Sequence, residues 1–155
     1  MTIKDLQQQK EYPVAMKAVH HFFDNFDIRE ARRLMHTMIR SALAQDDVLD
    51  KEQLRDLLFF KQELTDMIRA AAVLAKNKEA DLKVQRLFIK RDVADRLQSL
   101  DFLFNDAVFD SVFSGGPPSD RDLYHTWRWF FKCLKVCHPV YVSYKASLKN
   151  KEEPA

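Results

Sequence analysis

Two glycines stand in this chain of 155 residues, side by side at Gly115–Gly116, and that scarcity constrains the fold more than any other feature. Tight β-turns draw on residues that accept positive φ, glycine above all. An average chain holds about 7% glycine. With so few, a succession of hairpins is disfavoured, and helices joined by polar loops are the expectation. The stretch Leu49–Lys76, LDKEQLRDLLFFKQELTDMIRAAAVLAK, contains neither Gly nor Pro. Its apolar residues Leu54, Leu57, Leu58, Leu64, Ile68, Ala71, Ala72 and Ala75 recur at intervals of three and four, which places one stripe along a helix. Asp50 is positioned to cap the first free N–H groups, with Gln53 closing a capping box and Leu49 and Leu54 in the two staple positions. A helix of about 27 residues would be roughly 40 Å long, enough for the other helices to pack on.

The remaining elements are read around it. A first helix is expected to begin near Pro13 and end near Asn25, burying Ala15, Ala18, Val19, Phe22, Phe23 and Phe26. Asp27 and Glu30 form a second capping box. The stripe Ile28, Ala31, Leu34, Met35, Met38, Ile39, Ala42 and Leu43 follows it, up to a polar stop at Gln45-Asp46-Asp47. From Asn77 to Asp92 neither Gly nor Pro marks a boundary. Polar residues 76–79 suggest a turn, after which Leu82, Leu87, Phe88 and Ile89 either extend a helix or make a short one. Val93, Leu97, Leu100, Phe104, Val108 and Val112 then share one face up to the breaker Ser114-Gly115-Gly116-Pro117-Pro118. Ser119 with Asp122 is placed to cap a last helix running through Cys137, with Pro139 ending or kinking it. Val140–Tyr144 would then lie over the bundle as an extended or helical cover. The expected architecture is an all-α bundle of four or five helices around a long central helix (about 50–76). It forms a single helical domain over 1–155, with a frayed N-terminus (1–10) and a mobile C-terminal tail (149–155).

Several function classes are disfavoured at once. A net charge of +2 neither demands nor excludes an anionic partner. The N-terminal residues lack an apolar h-region, and no run approaches 18 apolar residues, so neither a signal peptide nor a membrane span is expected. Cys133 and Cys137, one helical turn apart, read as buried core thiols in a cytoplasmic, reducing setting. The Gly115–Pro118 loop lacks a Walker lysine, and no G-x-S-x-G, H-E-x-x-H or EF-hand spacing occurs. No cofactor is called for.

Three groups of residues could carry chemistry. His20 and Asp24, four apart on one helix, can face a shared metal; the plainer reading is a hydrogen bond along the helix face. Arg29, Arg33, His36 and Arg40 line one side of the second helix. An arginine and a histidine so placed could neutralise a phosphodiester and move its proton. The six-residue gap between Arg29 and His36 falls within the Arg-x(4–6)-His spacing of small helical ribonucleases of the HEPN class, a coincidence of spacing that arises often in arginine-rich helices; the plainer reading is a solvated face. Arg128, Lys132 and Lys135 form a basic row beside Trp127, Trp129, Phe130 and Phe131, a combination able to track a nucleic-acid backbone and stack its bases. With Tyr141 and Tyr144, this helix holds more aromatics than one side can hide, and exposed aromatic surface marks protein interfaces. The function expected first is therefore a non-catalytic helical protein acting through self-association or docking of a partner protein. The alternatives are a nucleic-acid-binding protein or ribonuclease using the Arg/His face, and a metal-binding helical enzyme.

Overall fold

The computed structural model describes residues 2–43, 49–77, 80–108 and 120–152. Among them the chain is all-α, with six helices: α1 Ile3–Asn25, α2 Ile28–Leu43, α3 Lys51–Ala75, α4 Leu82–Arg86, α5 Val93–Val108 and α6 Asp120–Glu152. The sixth helix is α4, in the segment whose state the sequence left open. Asp81 starts it by accepting from Lys83 N–H at 2.9 Å. The expected stop of α2 at 45–47, the Gly115–Pro118 breaker, the Ser119 cap and Val112 lie outside the described residues.

The start of α3 is the one its sequence specifies. Asp50 Oδ1 accepts from Gln53 N–H at 2.8 Å, and Gln53 Oε1 accepts from Asp50 N–H at 3.0 Å, so two otherwise unsatisfied donors are met reciprocally. The stripe is rotated from the expected one. Leu57, Phe60, Leu64, Met67, Ile68, Ala71 and Leu74 are buried, whereas Leu58 is 46% exposed. At 100° per residue, a stripe through Phe60 and Met67 turns Leu58 outward.

Pro13 and Pro139 both sit inside helices, although a helix start was expected near Pro13 and an end or a kink at Pro139. Helix α1 begins at Ile3, and α6 runs through Pro139 to Glu152. A proline in a helix leaves the carbonyl one turn back without its N–H donor. At Pro139 that carbonyl belongs to Lys135, an exposed residue, so water can take up that role. The residues 1–10 expected to fray are helical from Ile3, in a run of good helix formers (Leu, Gln, Lys, Glu). Residues 149–152 of the expected tail are helical too.

The core forms where α1, α3 and α6 bring Phe22, Phe60 and Phe130 to complete burial. The Phe22, Phe26 and Phe60 rings lie 5.3 to 6.0 Å apart between centroids. Each such ring contributes roughly 1.5–3 kcal/mol by leaving water. Helix α3 packs on α1, α2, α4 and α5, while α6 packs on α1, α2 and α4. Helix α3 thus stands at the centre of the bundle, as its sequence led one to expect. No helix among the described residues is long and apolar enough to cross a membrane.

Candidate functional site

Helix α6 meets two different helices along its length, and the sequence-derived candidates divide between these meetings. The first half of α6 lies against α2. Here His36 rests on Phe131 at 4.8 Å and on Trp127 at 6.0 Å between centroids. Trp127 meets Phe131 edge-on at 5.6 Å, and Tyr124 meets Trp127 at 6.1 Å. A continuous chain of four rings therefore runs along the α2–α6 seam. Phe131 and Trp127 are half-buried, while Tyr124 and His36 are exposed.

Cations flank this seam on both helices. Arg29, Arg32, Arg33 and Arg40 on α2 and Arg128, Lys132 and Lys135 on α6 are all exposed. Along the sequence these are two separate basic rows; the fold places them on adjoining helices. Arg33 reaches Glu30 at 3.9 Å, both side chains largely in solvent, a pair of little energetic weight. Arg128 lies over the Tyr124 ring at 5.7 Å. Arg29, Arg32, Arg40, Lys132 and Lys135 have no acidic partner among the described residues. Between Leu123 and Lys151 the chain contains no Asp or Glu at all. In a protein of net charge +2, this is a local concentration of positive charge.

The Arg29, Arg33 and His36 side chains share a solvent face. No described side chain hydrogen-bonds the His36 imidazole; its neighbours are rings.

The second half of α6 lies against α1 and is quite different. His20 Nδ1 is 3.2 Å from Asp24 Oδ2. The Tyr141 hydroxyl donates to Asp24 Oδ1 at 3.0 Å, and Lys145 Nζ donates to the Tyr141 hydroxyl oxygen at 3.3 Å. The His20 ring lies 5.3 Å from both Tyr141 and Tyr144. His21 continues the fastening on the other side of α1, 3.2 Å from Glu63 on α3. Both Asp24 oxygens are thus engaged by protein groups. The metal candidates His20 and Asp24 bind each other and α6 instead, and no group of three or more metal-capable side chains occurs among the described residues.

Trp129 is the candidate that the packing removes from the surface. It is 7% exposed, its indole N–H donates to Leu87 C=O at 2.9 Å, and the Arg96 guanidinium stacks on it at 4.4 Å. Burial, and then the neighbouring Arg91, push the Arg96 guanidinium below its ordinary pKa, yet arginine keeps its charge. With Phe130 also internal and Trp127, Tyr141 and Tyr144 half-buried, the aromatic surplus of this helix is largely absorbed. Sequence reasoning missed Tyr124, an exposed ring of the seam. Its signal was available: it stands three before Trp127 and four before Arg128, on the same side of a helix.

Comparison with known proteins adds no further constraint: no protein-family model, curated protein or solved structure matches this chain.

Proposed function

We propose that this protein is a non-catalytic binding protein and that its α2–α6 face takes a polyanionic partner, nucleic acid foremost. The observation that carries this reading is the set of seven exposed cations on two adjoining helices, of which only Arg33 has an acidic partner among the described residues. Surface charges that serve only solubility are commonly interspersed with opposite ones. A one-signed face raises the local potential and draws in an anion. Phosphate contacts supply most of the affinity in such complexes, and they release counterions, so binding falls steeply with salt. Retention on heparin at low salt, lost on raising salt, is the expected behaviour. If the protein passes through heparin unretained at about 50 mM salt, where such contacts are strong, the reading fails.

A second reading, docking of a protein partner or of a second copy, is favoured by a separate observation. Leu58 and Phe59 on α3 are 46% and 45% exposed, and Phe102 on the adjoining α5 is 61% exposed. Light scattering across a dilution series tests it. A dimer that Phe102→Asp dissociates supports self-association, and a monomer at every concentration removes it.

A further inference from the structure

We infer that the nucleic acid taken up on the α2–α6 face is single-stranded, with its bases stacking on the ends of the ring chain. This rests on the reading just given and adds the form of the ligand. The argument is from the rings. Tyr124, Trp127, Phe131 and His36 touch in sequence along the seam, and Tyr124 to Phe131 spans seven helical steps, about 10 Å. The two inner rings are anchored against the core. The two outer ones are exposed, Tyr124 by 49%, and each lies beside cations. Arg128 already rests over the Tyr124 ring, so that face accepts a flat group. A base stacking there takes the guanidinium's place, and the freed guanidinium is next to the phosphate that follows.

A duplex cannot use this arrangement. Its base faces are stacked inside, and it offers a protein only phosphates and groove edges. Rings between two rows of cations instead match the way single strands are held, by stacking and backbone charge with little preference for sequence.

The test compares fluorescein-labelled ten-residue oligouridylate and oligothymidylate with a ten-base-pair duplex, by anisotropy at about 50 mM salt, where phosphate contacts are strong. At least one single strand is expected to bind about tenfold or more tightly than the duplex. Tyr124→Ala and His36→Ala, both at exposed positions and so compatible with folding, are each expected to weaken single-strand binding by about 5- to 150-fold, the range for losing one stacked base. The pair Lys132→Glu and Lys135→Glu is expected to weaken every ligand. Duplex binding as tight as single-strand binding overturns this inference and leaves the proposed function standing. So does single-strand binding that survives loss of both rings. Binding of no oligonucleotide, with heparin retention also absent, overturns both.

Discussion

The two halves of α6 use the same residue types to opposite ends. Toward its C-terminus, where it crosses α1, Tyr141, Asp24, His20 and Lys145 are joined in one hydrogen-bonded set, and each side chain has a neighbour to answer it. Toward its N-terminus, where it crosses α2, rings are joined to rings but most cations are left unanswered. A polar group that finds its partner inside the protein contributes to holding the fold. A charge that finds none is available to something else. This difference, rather than the presence of His, Arg or Trp as such, separates the joint from the candidate interface.

The sharpest way to break the comparison is through the two tryptophans, which stand two positions apart on α6. Trp129→Ala should cost about 3–5 kcal/mol, as expected for removing a buried indole, and should lower the melting temperature by many degrees. Trp127→Ala, at the half-buried seam, should cost clearly less stability but weaken binding of a single-stranded oligonucleotide. Thermal melts and anisotropy titrations on both variants decide this; equal stability losses would mean that the seam belongs to the core.

Next in size is charge reversal at the seam. Arg33→Glu combined with Lys132→Glu should weaken oligonucleotide binding by roughly 100-fold or more at low salt and flatten the salt dependence by about one unit per lost phosphate contact. The same substitutions should leave the melting temperature within a few degrees, because Arg33 has only an exposed partner and Lys132 has none. A smaller effect is expected at the joint. Tyr141→Phe removes the donor to Asp24, and the partly exposed carboxylate limits the loss to about 1 kcal/mol or less. Oligonucleotide affinity should not change. A Tyr141→Phe variant that binds less well would place the joint within the interface.

Much of the fold could be read from the chain, and the failures have identifiable causes. The α3 cap was legible because Asp50 and Gln53 act locally, three residues apart. The buried stripe was only partly legible. Leu57, Leu64, Ile68 and Ala71 fit one helical face, but Leu58 and Phe60 are both apolar, and only tertiary packing chooses Phe60 for the interior. Pro13 did not mark a helix start, and Pro139 did not end α6, because proline's cost depends on whether water can reach the freed carbonyl, which a one-dimensional reading does not contain. At the candidate site, each basic row was visible as a periodicity within its own helix. That α2 and α6 adjoin could not be seen, since nearly a hundred residues separate Arg33 from Lys132. The His20–Asp24 pair was visible as a spacing, and its use was not, because Tyr141 arrives from the far end of the chain.

The smallest effect expected concerns Cys133, which is fully buried on the inner side of α6. A hydrogen bond with Cys137, followed by complete burial, pushes the Cys133 thiol well above its ordinary pKa, and the nearby Arg96 opposes this only in part. The sign of its effect on stability follows from which state loses the proton first. In the unfolded chain the thiol ionises near about 8.5, while in the folded protein it stays protonated to higher pH. The stability it contributes is therefore fully present below about pH 8.5 and lost as pH rises toward the folded value. Denaturant midpoints measured from pH 7 to 10 should fall more for the wild type than for Cys133→Ala once the lower stability of that variant is subtracted. Over the same range Cys133 should resist alkylation until the protein unfolds, since the thiolate is the reactive form and burial withholds it. Rapid alkylation of Cys133 at pH 8 in native buffer would mean that α6 opens readily along its inner face. The contrast between a closed joint and an available seam would then have to be redrawn in terms of motion.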